Sequence, residues 1–304
     1  SFTTYSGFES EEKAQWTYNY NFEGNTIKTA THFIYSNGDT LTKSITYRLE
    51  SIIPAQTTVG GHQVLSFATK LGELYEVKSK ASLTDASWTA VGGLIAGTGA
   101  VVSVTSDAMF HKVTRYAQRS VTDYQGNEGE EKALVTRNFN FNGDTVKSST
   151  VFIYDADDAL KQSVTYRADI QRTRAADIQK LANPLTADTV RSFTTYSGFE
   201  SEEKAQWTYN YNFDGNKVKT ATYFDYHGTD TLKQSTTYRV NRELNVPVTL
   251  ISDADRDTLS FPTNPGRHYL IYSASAEAGL EGSLVLNHVD GISGNTSTTV
   301  ALPV

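Results

Sequence analysis

The sequence predicts an all-β protein in which tandem three-stranded antiparallel meander blocks alternate with two small β-sandwiches, with one short linker helix. The first observation is a 48-residue block, Ser1–Arg48, that recurs without gaps as Ser120–Arg167 and Ser192–Arg239. The first and third copies are identical at 37 of 48 positions, which indicates a tandem array. The second observation is the strand-like alternation of apolar and polar residues within each block. The third is a set of short apolar runs between glycines in the segments outside the blocks.

The block itself predicts three strands. Gln15–Phe22 places an aromatic residue at every second position, and Ile27–Tyr35 continues the alternation after turn residues at Glu23–Asn25. Asn37–Gly38 is a strong hairpin signal, because both residue types accept a positive φ. Leu41–Arg48, rich in Thr, Ile and Tyr, is the third strand. We expect all three copies to share one backbone.

The aromatic side of each block needs a cover, because a meander of three short strands is marginal alone. Burying a large apolar side chain gains roughly 1.5–3 kcal/mol. We therefore expect six aromatic residues to be mainly buried, namely Trp16, Tyr20, Phe22, Trp207, Tyr211 and Phe213.

The segments outside the blocks complete the predicted architecture. Residues 50–117 contain short apolar runs separated by glycine turns, which favours a small β-sandwich. Leu65–Phe67 recurs as Leu259–Phe261, so a second sandwich is predicted near the C-terminus. Ala168–Leu181 has helical periodicity and Asn183–Pro184 ends it. The predicted domains are 1–49, 50–117, 118–167, 168–191, 192–240 and 241–304.

Two family resemblances rest on these residues. The Tyr-containing turns at Tyr35–Gly38 and Tyr154–Leu160 resemble the YD repeats of the RHS family. The first sandwich resembles small Ig-like or fibronectin-III-like modules. The positions that carry this second resemblance are Tyr75, Val77, Leu83, Trp88, Gly97 and Phe110–Val113. Both resemblances imply a large repetitive bacterial protein that is secreted or held at the cell surface.

Composition excludes several classes of partner and chemistry. The chain of 304 residues carries a net charge of −7, which disfavours nucleic acid or an anionic membrane as main partner. It has no cysteine, so disulfides and thiol chemistry are excluded. No apolar run is long enough for a transmembrane helix, and we expect no signal peptide. Because the chain starts at Ser1, we interpret it as a mature product or a fragment.

No catalytic constellation recurs with the blocks. Where the first copy has His32, the others have Val151 and Tyr223, a variation not expected of a catalytic base. The acidic cluster Glu9–Lys13 does recur, and we interpret it as a solvated turn that protects a strand edge, the alternative being a cation or partner site. We predict that the protein is not an enzyme and has no organic cofactor.

One cation site is predicted. Asp253, Asp255 and Asp257 alternate like the start of a calcium-binding loop, although no glycine or closing glutamate follows at EF-hand spacing. If calcium binds anywhere, we expect it there.

The sequence thus predicts a structural protein of the cell exterior, a segment or subunit of a fibre, sheath or filament that assembles head-to-tail with itself. The alternative is an adhesin or glycan-binding surface module that uses exposed aromatics. For assembly, we expect the second sandwich to lack a closing strand, which the N-terminus of a neighbouring copy would supply. The residues assigned to this contact are Ser1, Phe2, Thr3, Thr4 and Tyr5 at one end and Leu302, Pro303 and Val304 at the other.

Overall fold

The computed structural model is an all-β chain with antiparallel sheets, as the sequence predicts. It divides into one compact unit that contains Ser1–Thr150 and another that contains Val151–Arg167 and the later strands. The predicted linker helix at 168–181 lies outside the described residues. The structure describes residues 1–9, 11–37, 39–167, 190–215, 217–226, 228, 230–240, 249–253, 256–261, 268–274, 284–290 and 298–301.

Each block contains four strands, so the prediction of three was one strand short. The additional strand is β1, which pairs with β2 from Phe2 opposite Tyr18 to Ser6 opposite Lys13. Its sequence, Phe-Thr-Thr-Tyr-Ser, has no run of alternating apolar residues, and its pairing depends on backbone bonds and a 2.9 Å Thr3–Thr17 hydroxyl contact. The strands of the first block are β1 (Phe2–Ser6), β2 (Lys13–Tyr20), β3 (Ile27–Tyr35) and β4 (Leu41–Ile52).

The segment after the first block forms two sheets that share a core. Strands β5, β6 and β10 make one sheet in the order β10-β6-β5, while β7 pairs with β8, β9 and a later strand, β11. Leu65 and Phe67 from β6 are buried together with Tyr75 and Val77 from β7 and Val113 from β11. The strands are β5 (Ala55–Val59), β6 (His62–Ala68), β7 (Leu74–Lys80), β8 (Thr89–Ala90), β9 (Ile95–Ala96), β10 (Val101–Ser106) and β11 (Phe110–Gln125).

We call the segment that contains β5–β10 the inserted segment. Strand β11 belongs to both this segment and the second block. Its first part, Phe110–Tyr116, pairs with β7, and its last part, Ser120–Gln125, is the first strand of the second block. The predicted domain boundaries at 49/50 and 117/118 therefore lie inside β4 and β11. The identification of the inserted segment as an Ig-like or fibronectin-III-like sandwich stays a prediction.

The later blocks repeat the four-strand pattern. The division between the two compact units falls inside β13. The remaining strands of the second block are β12 (Lys132–Phe139), β13 (Val146–Tyr154) and β14 (Leu160–Tyr166), and those of the third are β15 (Val190–Ser197), β16 (Lys204–Tyr211), β17 (Val218–Asp225) and β18 (Gln234–Arg239).

Local geometry recurs with the blocks. A bulge interrupts the pairing of the first two strands at Thr4/Tyr5, Asp123/Tyr124 and Thr195/Tyr196. The following turn contains Gly7 in the first copy, with φ of 127°, and a Cβ at this position would lie 2.6 Å from the Glu11 carbonyl oxygen. Gly126 and Gly198 occupy the same position with φ of 139° and 123°. These glycines are required for the chain to reverse there.

The C-terminal segment contains two small sheets. One has the order β19-β20-β23 and the other pairs β21 with β22. The connection of two residues between β19 and β20 matches Gly60–Gly61 between β5 and β6. The strands are β19 (Thr249–Asp253), β20 (Arg256–Phe261), β21 (His268–Ala274), β22 (Leu284–Asp290) and β23 (Thr298–Ala301).

The expectation that all six strand aromatics are buried was wrong. Tyr211 is buried at 4% exposure, but its counterpart Tyr20 is 39% exposed. Phe22 and Phe213 are 106% and 81% exposed, because β2 and β16 end before them and both lie in the turn that follows. Trp16 and Trp207 are half-buried.

The aromatic side of the first block is organised by ring stacking. The Trp16 ring lies 4.3 Å from the His32 ring at an angle of 8°, and 6.1 Å from Tyr47. Tyr47 packs with Ala30 and with Tyr116 of β11 in one buried cluster. Burial raises the pKa of Tyr47 to about 12, since the charged phenolate is disfavoured away from water.

The stacked histidine makes the stability of the first unit depend on pH. Burial holds the pKa of His32 below its ordinary value, so folding favours the neutral ring. Its contribution to stability is full above the unfolded pKa of about 6.5 and is lost as the pH falls below it. In the third copy Tyr223 takes this place, 4.9 Å from Trp207. We predict that His32→Tyr reduces the loss of unfolding free energy on acidification from about pH 7.5 to about pH 5.5.

Denaturant unfolding at several pH values measures this difference. Val151, the residue of the second copy, supplies a second substitution, His32→Val, that should act in the same direction. His111 also has a pKa lowered by burial, but it is present in all three proteins and cancels in the comparison. Equal acid sensitivity of the wild type and both variants would contradict the prediction.

Candidate functional site: the block junctions

Two junctions join consecutive blocks, and they have the same strand register. Junction A pairs β4 with β11 in the first unit, and junction B pairs β14 with β15 in the second. When each block is numbered from its own first residue, four residue pairs of junction A fall at the same positions as four pairs of junction B. They are Thr46–Ser120, Ile45–Val121, Ser44–Thr122 and Lys43–Asp123 in junction A, and Thr165–Ser192, Val164–Phe193, Ser163–Thr194 and Gln162–Thr195 in junction B.

A tyrosine–serine hydrogen bond crosses each junction. The Tyr124 hydroxyl lies 3.1 Å from the Ser44 hydroxyl in junction A, and Tyr196 lies 3.1 Å from Ser163 in junction B. Both serines are buried, at 8% and 9% exposure, so each needs this partner. The bulge before the tyrosine shifts the register there.

A glutamate accepts the first backbone N–H of the neighbouring block's last strand. Leu41 N–H donates to Glu131 Oε1 at 2.9 Å, and Leu160 N–H donates to Glu203 Oε1 at 2.9 Å. The Leu41 N–H holds the pKa of Glu131 below its ordinary value. These glutamates correspond to Glu12 in the recurring acidic cluster, so for them the interpretation as a purely solvated turn was wrong.

An arginine covers the turn of the next block. The Arg48 guanidinium lies 3.7 Å from the centre of the Phe141 ring and donates to the Phe141 carbonyl. The Arg167 guanidinium lies 5.5 Å from the Phe213 ring and donates to the carbonyls of Asn212 and Phe213 at 3.0 and 3.1 Å. Both contacts combine a cation–π interaction with hydrogen bonds to a turn.

Junction A has an additional ion-pair network. Glu73, only 1% exposed, accepts a hydrogen bond from the Tyr75 hydroxyl at 2.6 Å and two from Arg115. Arg115 also donates to Glu50 at 3.0 Å and to the carbonyl of Asn142, in the turn of the second block. Glu73, and to a smaller degree Glu50, raise the Arg115 pKa because they favour the charged guanidinium. A buried carboxylate is tolerated only when its charge and lone pairs are matched, which this network achieves.

Residues that are buried at the junctions are exposed where no neighbouring block lies. Phe193 is 6% exposed in junction B, whereas Phe2, the same residue of the first copy, is 57% exposed. Ser235, the counterpart of Ser44 and Ser163, is exposed. The junction therefore buries an apolar side chain as well as aligning backbone groups.

The two junctions form with quite different connections. In junction A the chain leaves β4 at Ile52 and returns as β11 at Phe110, through strands β5–β10. In junction B it leaves β14 at Tyr166 and returns at Val190. Since the register and the side-chain contacts are the same, they are determined by the edges of the blocks rather than by the connecting chain.

The structure places the predicted site residues as follows. Phe2, Thr3, Thr4 and Tyr5 lie in β1 and Ser1 precedes it, whereas Leu302, Pro303 and Val304 lie outside the described residues. Asp253 ends β19 and Asp257 lies in β20, with Asp255 outside the described residues. Within the described ranges no group of three or more His, Cys, Asp or Glu residues could hold a metal ion. Calcium at the three aspartates stays a prediction.

Sequence reasoning placed Phe2 and Tyr5 in an assembly contact, but it did not identify the block junctions or their other residues, although a signal was present. Ser44, Tyr5, Glu12, Arg48 and Phe22 are identical in all three copies, including on strand faces where neighbouring positions vary. A polar residue that is identical in all three copies, among neighbours that vary, indicates a specific contact. This pattern predicts a contact surface on the block.

A scan of the chain against protein-family models finds no match, and a search of curated proteins finds none either. Among the described residues, no helix has the length and apolar character needed to cross a membrane.

Junction burial predicts unequal effects of one substitution at two equivalent positions. Phe193→Ala should lower the unfolding free energy of its unit by about 3–5 kcal/mol, because it empties a buried site. Phe2→Ala should cost less than about 1 kcal/mol, because the Phe2 ring is already largely in water. Urea unfolding at a protein concentration too low for self-association measures both values. Equal losses would show that Phe193 does not stabilise the junction.

Proposed function

We propose that the chain is a non-enzymatic structural repeat protein of the cell exterior, a subunit or segment of a fibre, sheath or filament assembled through β-strand contacts. The observation that carries the proposal is the repetition of one junction, with the same register, Tyr–Ser bond, Glu–backbone bond and Arg clamp, at two places with unrelated connections. A contact set that adds one block to another can add further blocks in the same way.

Hydrogen bonds between threonines, on the face of the blocks opposite the aromatic rings, support a structural role. Threonine hydroxyls face each other across neighbouring strands at 2.9–3.0 Å in the first block and at 2.9 Å in the third. Cross-strand pairs of this kind stabilise a sheet whose face is polar. The pairs are Thr3–Thr17, Thr31–Thr46, Thr194–Thr208 and Thr222–Thr237.

The proposal that the protein lies outside the cell rests on the two family resemblances. The Tyr-containing turns resemble YD repeats, and the first inserted segment resembles Ig-like or fibronectin-III-like modules, both frequent in repetitive bacterial proteins outside the cell. The absence of cysteine and the net charge of −7 are compatible with such a protein.

Electron microscopy of the purified full chain tests the proposal. Over a series of increasing protein concentrations we expect fibres or sheets in which the block repeat is regular. Particles that stay single at every concentration would contradict assembly through strand contacts. Sedimentation velocity on the same samples gives an independent measure of the size distribution.

The second candidate function, glycan binding by an adhesin, is favoured by the half-buried aromatic rows. Trp207 stacks at 6.1 Å on the buried Tyr209 and lies 4.9 Å from Tyr223, and Trp207 and Tyr223 are themselves only half-buried. Sugar rings stack on such surfaces.

Titration with soluble polysaccharides, followed by tryptophan fluorescence, tests this alternative. If the aromatic row binds glycans, polysaccharide binding should be saturable and Trp207→Ala should weaken it. Trp88→Ala, in the inserted segment of the first unit, is the control and should not weaken it. Saturable binding by the wild type that both substitutions leave unchanged would exclude the aromatic row as the site.

A further inference from the structure

Two block edges are left without a neighbouring strand in the part of the chain that the structure describes. We call the outer side of β1 the head edge and the outer side of β18 the tail edge. On the head edge Phe2 and Tyr5 are 57% and 63% exposed, and Glu12 is exposed as well. On the tail edge Ser235 and Arg239 are exposed. Edge strands with unpaired backbone groups are sites for pairing with another chain.

The head edge carries one half of the junction contacts and the tail edge carries the other half. Tyr5 and Glu12 correspond to the tyrosine and glutamate that each junction takes from its following block. Ser235 and Arg239 correspond to the serine and arginine that each junction takes from its preceding block. Phe22, fully exposed, is the counterpart of the ring under each arginine.

The start of β18 also differs from its counterparts. Strands β4 and β14 both begin at the leucine whose N–H donates to a glutamate of the following block. The corresponding residue of the third block, Leu232, is 47% exposed, and β18 begins two residues later, at Gln234. This is the difference expected where that glutamate is missing.

From this complementarity we infer that the head edge of one copy binds the tail edge of a second copy and forms a block junction between molecules; the inference rests on the proposed function. Tyr5 then bonds to Ser235, Glu12 accepts the Leu232 N–H, and Arg239 covers Phe22. The register is that of junctions A and B. It pairs Ser1 with Thr237, Phe2 with Thr236, Thr3 with Ser235 and Thr4 with Gln234.

A covalent connection is not needed for this contact. Junctions A and B keep the same register although the segments that join their strands differ in length and sequence. A junction that does not depend on its connection can form between separate molecules, and a contact between two different surfaces repeats from copy to copy.

This inference changes the partner assigned to the N-terminal segment. The sequence predicted that Ser1–Tyr5 closes the second sandwich of a neighbour. In the first unit, however, the strand part beside β7 is Phe110–Tyr116, whereas Ser120–Tyr124, the counterpart of Ser1–Tyr5, lies beside β4 and β12. The N-terminal segment therefore matches a block edge.

Disulfide trapping tests the register, and the natural chain has no cysteine to interfere. Full-length protein carrying Thr3→Cys is mixed with full-length protein carrying Ser235→Cys under mild oxidation, and linked peptides are identified by mass spectrometry. Directly opposed residues in an antiparallel pair have Cα atoms about 4.5–5.5 Å apart, within the range of a disulfide. We expect dimers linked between positions 3 and 235 to predominate.

Two matched controls accompany this mixture. Thr237→Cys in place of Ser235→Cys moves the thiol to a diagonal position, roughly 7–8 Å away, and should link at least roughly tenfold less. Ser163→Cys/Thr194→Cys places thiols at the same pair of repeat positions in junction B, and should form a disulfide within one chain. Phe2→Ala added to the Thr3→Cys protein should reduce linkage roughly tenfold or more, whereas Phe8→Ala, at a turn position occupied by Asn127 in the second copy, should not.

The outcomes separate this inference from the proposed function. Linkage between two copies at position 3, or equal linkage of position 3 to 235 and 237, would overturn the head-to-tail register. If the junction B control forms and the wild type gives fibres in the microscope, but positions 3 and 235 do not link, another surface makes the fibre and only the inference fails. Absence of both fibres and linkage would contradict the inference and the proposed function together.

Discussion

The structure depends on one constraint, that the backbone N–H and C=O groups along the edge of a β-strand must find partners. Each four-stranded block has two such edges. At junctions A and B the chain meets the constraint with the same solution, an antiparallel pairing fixed in register by a partly buried tyrosine–serine contact. A slip of one residue would turn every side chain of the strand to the opposite face, so the register also determines which side is aromatic.

Side-chain chemistry at the junctions protects this pairing in different ways. Glu131 and Glu203 satisfy a backbone donor at the point where the strand begins, and the arginines hold the adjacent turn. Around Glu73 the first unit adds a buried charge that is acceptable only with Arg115 and Tyr75 in place, and burial raises the Tyr75 pKa to about 12. In ion pairs of this kind, desolvation offsets much of the attraction between the charges.

The sequence predicted those parts of the fold that leave a local pattern in the chain, and it missed those that do not. Alternation located β2 and β3 because it reflects burial on one side. It missed β1, which is threonine-rich and paired mainly through its backbone, and it extended the aromatic face to Phe22, where a bulge and a turn end the alternation. The junction contacts join residues as far apart as Arg48 and Phe141, a separation that no local pattern reports. Only the identity of those residues across the copies carried that information.

The two unlike connections between equivalent strands have a consequence for how such a chain can change. In one place the path from β4 to β11 contains a folded segment with its own core, and in the other it runs from Tyr166 to Val190. Because the sheet contacts do not depend on that path, the points where blocks meet are places where a gene can gain or exchange whole domains without altering the scaffold. Selection can then act on the inserted domains, and on whatever they present, while the blocks that carry them stay nearly constant.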